Sequence, residues 1–283
     1  MDGRRGGHTR AQILKVEAGH GEVRSDLLAT EEPLEIRITS MGVTAPVAVT
    51  MRTPGSDFEL AVGFLYSEGI LTSRDDLERV AYCVDRAGGQ EQQYNIVTVV
   101  MRPGRTFDRA KLDRSFGMTS ACGVCGKESL DQIERRGLAS IEQGFTVDHT
   151  VLSALPSTLT AAQGLFSKTG GLHAAALFTA TGELLALQED VGRHNAVDKI
   201  IGWALLEGKL PLSTCILMVS GRSSFEITQK CVAAGIPVLC AVSAPSSLAV
   251  ELSRRFNLTL IGFLRDDHFN VYHGASRVHL IGP

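Results

Sequence analysis

The chain has 283 residues, 44% of them hydrophobic and 21% charged, a composition and length that suit an ordinary globular protein with one or two cores. Its 28 basic and 31 acidic residues leave a formal net charge of −3, which excludes a broadly basic surface for nucleic acid or anionic membrane. No apolar run reaches membrane-spanning length and the N-terminus has no signal-type apolar segment, so a cytoplasmic protein that touches neither membrane nor nucleic acid is expected.

Residues 1–30 are polar and glycine-rich without clear periodicity, and are expected to form a flexible tail. Residues 31–117 suggest a small α+β domain. Leu34-Glu35-Ile36-Arg37-Ile38 alternates as a half-buried strand does, and Pro46 to Met51 is its natural neighbour. Ser56 and Glu59 form a capping-box pattern for a helix that Gly69 ends, and Ser73-Arg74-Asp75-Asp76 opens a second capped segment. Two further strands are expected at residues 80–84 and 94–101. Residues 118–145 hold Met118-Thr119-Ser120-Ala121-Cys122-Gly123-Val124-Cys125-Gly126-Lys127, then a helix with Leu130, Ile133 and Leu138 on one apolar stripe.

Residues 146–283 read as an α/β domain. Leu155-Pro156-Ser157 is expected to start a helix, because proline suits a first helical position. A hairpin follows around Thr181-Gly182, and then helices and strands alternate through residues 195–264, as in a layered α/β sheet. The connecting loops are rich in hydroxyls, glycine and arginine: Ser220-Gly221-Arg222-Ser223-Ser224, Ser243-Ala244-Pro245-Ser246-Ser247, and Glu189-Asp190-Val191-Gly192-Arg193-His194-Asn195. The last expected strand ends in Phe263-Leu264-Arg265-Asp266-Asp267-His268. Ligands of open α/β sheets bind outside the carboxyl ends of strands, where helix N-termini offer free amide donors to phosphate. These loops therefore suggest a phosphorylated, nucleotide-like ligand, with Asp266 and Asp267 available to donor groups on a base or pterin. The alternative is that they only cap helices and solvate turns.

The Cys122–Cys125 pair, with a glycine beside each thiol, suggests a reactive dithiol ahead of a helix, where the helix field lowers a thiol's pKa. A structural zinc site needs two further ligands, and no second Cys-x-x-Cys exists. A zinc deaminase needs Pro-Cys-x-x-Cys, but Ala121 precedes Cys122. Dithiol redox exchange and sulfur relay through a persulfide both remain open on the residues alone. Cys83, Cys215, Cys231 and Cys240 sit in apolar or helical runs and read as small core residues; no disulfide framework and no structural metal are expected.

Residues 118–127 resemble the signature of the formate dehydrogenase accessory sulfurtransferase family, FdhD. Arg52-Thr53-Pro54-Gly55 with Glu59-Leu60-Ala61-Val62-Gly63-Phe64-Leu65 is similar to its N-terminal block, and Thr169-Gly170-Gly171-Leu172-His173, Glu189 to Lys199 and Ser220-Gly221-Arg222 to later ones. The resemblance implies a cytidine deaminase-like, three-layer C-terminal domain without deaminase chemistry. It also implies a sulfur carrier between a cysteine desulfurase and the bis-molybdopterin guanine dinucleotide molybdenum cofactor of a molybdenum-dependent formate dehydrogenase, acting as a homodimer. By motif position, Cys122 carries the persulfide and Cys125 assists. The family's cofactor segment falls on Phe263, Leu264, Arg265, Asp266, Asp267 and His268, with Ser220, Gly221, Arg222 and Ser223 facing the phosphates of this guanine nucleotide-type ligand, although Asp267-His268 departs from the family pattern. Beyond the resemblance, His173 and His194 are available as proton donors, and Lys127 as a charge partner for an anionic persulfide.

Overall fold

The computed structural model describes residues 6–83, 94–106 and 137–280; the Cys122–Cys125 motif and the expected helix as far as residue 136 therefore fall outside the described residues, and Leu138, expected in that helix, lies in no helix. Residues 6–30 correct the expectation of a loose tail. β1 (His8–Glu17) and β2 (His20–Ala29) pair antiparallel through a turn in which Ala18 and Gly19 both have positive φ, the backbone that matches strand twist in a two-residue hairpin. Leu14 faces Val23 and Lys15 faces Glu22 across the ribbon. Its root is tied down, with Thr30 N donating to Gly7 O and the Thr9 and Thr30 hydroxyls 2.8 Å apart.

β3 (Glu32–Ser40) and β4 (Val43–Arg52) form the expected antiparallel pair. α1 (Asp57–Ser67) follows, but without the expected capping box: Ser56 adopts left-handed backbone geometry and its hydroxyl makes no cap bond. The box forms instead at Ser73 and Asp76, ahead of β5 (Leu77–Tyr82). With β6 (Ile96–Met101) these strands make a four-stranded sheet of order β4-β3-β6-β5. Leu34, Ile36, Ile38, Val97 and Val99 from the sheet bury against Leu60 and Leu65 of α1.

After the short β7 (Val147–Asp148), α2 (His149–Ala162) begins seven residues earlier than the Pro156 signal suggests. Asp148 caps it by accepting from Thr150 N, and Pro156 lies inside the helix, where it removes one backbone donor and crowds the carbonyl four residues back. α3 (Phe166–Thr169) leads into β8 (His173–Thr179) and β9 (Leu184–Asp190), an antiparallel hairpin. Then α4 (Arg193–Leu206), β10 (Cys215–Val219), α5 (Phe225–Ala233), β11 (Val238–Ala241), α6 (Ser247–Arg255) and β12 (Thr259–Arg265) alternate as expected. β13 (His268–His273), which the sequence pattern did not suggest, returns antiparallel to β12, and β14 (Val278–His279) pairs with β7.

The resulting six-stranded sheet has the order β13-β12-β11-β10-β8-β9. Alternate residues of its strands feed two cores. Ala176, Phe178, Ile216, Met218 and Cys240 face α2, whereas Ala175, Leu177, Leu217 and Val219 face α4, α5 and α6. The protein is thus a mixed α/β structure in which the larger sheet lies between helical layers. α1 crosses α4 so closely that a Cβ on Gly63 would overlap the Asp198 carbonyl, and one on Gly202 the Glu59 carbonyl. Cys215, Cys231 and Cys240 are buried and burial pushes all three thiols up, while Cys83 is half-buried. No helix among the described residues is long and apolar enough to cross a membrane.

Candidate functional site

Strand directions gather the hydroxyl- and arginine-bearing loops at one sheet edge. β10, β11 and β12 are parallel, β8 opposes β10, and β9 opposes β8. The carboxyl ends of β9, β10, β11 and β12 therefore lie together with the first residue of β8, His173. Backbone bonds stitch the loops side by side. Ser220 N donates to Ala174 O, Ser246 N to Ser223 O, and Phe263 N to Ser243 O. Ser224 and Ser246 cap α5 and α6 by accepting from Ile227 N and Ala249 N. Gly262 lets β12 pass under this layer, since a Cβ there would lie 2.9 Å from Pro245 Cδ.

The residues singled out from the sequence divide at this edge. Ser220 is half-buried, its hydroxyl accepting from Ala174 N, and Arg222 is exposed. Ser223 is fully buried and its Oγ has no hydrogen-bond partner. Gly221 sits against His173, whose Nδ1 would lie 3.5 Å from a Cβ on that glycine. Phe263 is exposed at a positive φ of 54°, whereas Leu264 is packed in the core on the α2 side and presents nothing to a ligand. Arg265, Asp266, Asp267 and His268 are all exposed in the β12–β13 turn, where Arg265 pairs with His268 and Asp266 takes a φ of 49°. The edge thus brings Ser220 to Ser223 into one layer with Phe263, while Leu264 stays with the core. Cys122 and Cys125 lie outside the described residues.

His194 Nε2 is 3.1 Å from Ser224 Oγ and 3.7 Å from Glu226 Oε2, so the first turn of α4 leans on the first turn of α5. That interaction with His194 holds the Glu226 carboxyl down to about 2, against partial burial. Glu226 was not singled out in the sequence; an acidic residue in a first helical turn suits the helix field and by itself suggests no more than that. His173 is pushed below the ordinary imidazole range, first by burial and then by the charges of Arg193 and His194, with Asp190 opposing. Arg193 Nε is buried without a partner. The arrangement offers cationic and hydroxyl groups around a glycine turn, a setting suited to an anionic ligand.

Two blocks read from the sequence as signatures prove to hold this edge in place. Arg52, 2% exposed, donates to both Asp57 oxygens at 3.1 and 3.0 Å and to Glu32 at 3.2 Å. Asp190 and Lys199, both buried, form an ion pair of 2.7 Å. Asp190 also accepts from Thr53 N, Gly192 N and Asn195 Nδ2, and Lys199 donates to the carbonyls of Thr53 and Glu189. A buried charge is tolerable only when its hydrogen-bonding sites are filled, which these contacts accomplish. The sequence contained every one of these residues but not their pairing across well over a hundred positions.

Residues 29–279 match the model of the FdhD/NarQ family. Among similar proteins, the "Sulfur carrier protein FdhD" of Streptomyces avermitilis is 50% identical over 273 residues, covering 96% of this chain and 95% of the relative. That of Mycobacterium tuberculosis is 51% identical over 271 residues, with 94% and 97% covered. A crystal structure of a protein from Desulfotalea psychrophila, described as a formate dehydrogenase accessory protein, superposes with a TM-score of 0.75 at 20% identity, covering 96% of this chain and all of the other.

Proposed function

Because the chain belongs to the FdhD/NarQ family, we propose that it is a cytoplasmic sulfur carrier acting in the maturation of a molybdenum-dependent formate dehydrogenase. It takes sulfane sulfur from a cysteine desulfurase and passes it to the bis-molybdopterin guanine dinucleotide molybdenum cofactor, its substrate. In the loading step the Cys122 thiolate attacks the terminal sulfur of the desulfurase persulfide. The sulfur–sulfur bond breaks, the desulfurase leaves as its thiolate, and Cys122 becomes a persulfide, with Cys125 assisting. The observation that carries this reading is half-identity to named sulfur carriers over nearly the whole chain.

The acceptor is read at the sheet edge, where Arg193, Arg222 and the hydroxyls of residues 220–224 suit phosphate, and exposed Phe263 suits a base or pterin face. We read the six-stranded sheet, with its parallel β10-β11-β12 centre and helices on both faces, as the cytidine deaminase-like three-layer domain of residues 146–283. The unit built on the four-stranded sheet is the smaller α+β domain, and two copies of the chain act as a homodimer.

Incubation with a cysteine desulfurase and cysteine, followed by intact mass measurement, tests the proposal. The wild-type protein gains a sulfur atom and Cys122→Ala does not. A protein that gains nothing yet binds GDP is a cofactor chaperone instead, and reversible loss of two hydrogen atoms, two protons with two electrons, identifies a dithiol oxidoreductase.

A further inference from the structure

Thr53 uses every polar group it has across the boundary between the two sheets. It is 1% exposed and directly follows β4. Its N donates to Asp190 Oδ2 at 3.2 Å, its Oγ1 accepts from Val191 N at 3.1 Å, and its carbonyl accepts from Lys199 Nζ at 3.0 Å. Neither side is free to drift. Arg52 is locked to Asp57 and Glu32, and Pro54 holds Thr53 to extended backbone. Opposite, Asp190 Oδ1 collects Gly192 N at 2.8 Å and Asn195 Nδ2 at 2.9 Å, and the same Asn195 amide donates to Met51 O at 2.7 Å.

The network stops where the candidate site begins. Val191 and Gly192 are anchored by their amides; the next two residues, Arg193 and His194, turn to the loop at 220–224. His194 meets Ser224 and Glu226, and Arg193 Cδ would lie 3.8 Å from a Cβ on Gly221. We infer that Thr53 is a positioning residue: by accepting from Val191 N it fixes, from the other sheet, the turn that presents Arg193 and His194 to an anionic ligand.

This rests on the ligand reading proposed above, and the test separates the two. Thr53→Val keeps the shape and removes the hydroxyl that Val191 N bonds, leaving that part-buried amide unpaired. Thr53→Ala does the same without bulk should valine not be accommodated. Ser67→Ala is the control. Its hydroxyl donates to Asp198 at 2.8 Å in the same interface but does not touch the turn.

GDP binding is expected to weaken about tenfold or more in Thr53→Val, to stay within about twofold of wild type in Thr53→Ser, and to be unchanged in Ser67→Ala. A second readout needs no ligand. The bond to His194 is what chiefly lowers the Glu226 carboxyl, and Ser224 is the other side chain bonded to it. Carboxyl NMR titration should therefore find Glu226 moved from about 2 toward its ordinary 4.5 in Thr53→Val alone. Unchanged GDP affinity with an unmoved Glu226, or equal changes in Ser67→Ala, overturns the role of Thr53. Failure of the wild-type protein to bind GDP refutes the ligand reading instead, and the Glu226 titration still decides the matter of Thr53.

Discussion

Where α1 crosses α4 at Gly63 and Gly202, main chain meets main chain. Gly63 and Gly202 lie back to back, and a methyl group on either would run into the main chain of the other helix. Further along the same boundary, between residues 50–57 and 189–199, contact is made almost wholly by polar groups, with Lys199, Asp190 and Thr53 buried and bonded to one another or to backbone. The first joint sets a distance and tolerates no growth. The second sets an orientation and tolerates no loss, because each missing partner strands a buried polar group. Only the second leads into the turn at Arg193 and His194. One boundary thus contains a spacer and an aligner, distinguishable by which kind of substitution each refuses.

The largest effect is expected at the aligner. Lys199→Met removes the cation from an Asp190 that is fully buried, and should cost about 3–5 kcal/mol in urea unfolding. A loss no larger than that of a surface change would mean that Asp190 does not need its partner. Next comes the spacer. Gly63→Ala should cost roughly 3 kcal/mol, the upper end for overpacking. At an uncrowded helical position the same change gains up to about 1 kcal/mol, so the sign alone tests the crossing. Away from both joints, Asp148→Ala should cost about 1 kcal/mol through loss of the α2 cap. No change there would put the working start of α2 back near Pro156.

The smallest effect belongs to Glu226. Its folded value of about 2 lies below its ordinary 4.5, so the folded protein binds fewer protons in between. The stabilisation is therefore complete above about 4.5 and lost as pH falls toward about 2. The carboxylate is more than half exposed, so solvent screens most of it. His194→Ala should flatten that stretch of the stability–pH curve while leaving the plateau near neutrality little changed; an unaltered acid limb would mean that His194 does not hold Glu226.

The second half of the chain was largely legible residue by residue. Apolar runs such as Cys215 to Val219, bounded by Gly208 and by the serine loops, are buried strands, and Gly208 marks the end of α4. The N-terminal hairpin was not legible. Leu14, Val16 and Val23 share one face of the ribbon and stay 60–71% exposed, so its apolar residues do not mark a buried side. The start of α2 was misjudged because Pro156 is a strong local signal, whereas the Asp148 cap and the burial of Leu152, Leu155 and Leu159 outweigh it. The candidate site was legible as loops with the right chemistry. Its assembly was not, nor was the loss of Leu264 to the core.

Composition, period and capping residues determined on their own that this is a mixed α/β protein with strand–helix alternation and phosphate-compatible loops, because such signals act over a few residues at a time. Tertiary structure alone decided that β8 opposes β10, which brings His173 beside Gly221, and that Thr53 meets Asp190 across 137 positions. Those outcomes depend on which surfaces bury each other and which buried charges find partners. No local stretch of sequence contains that information.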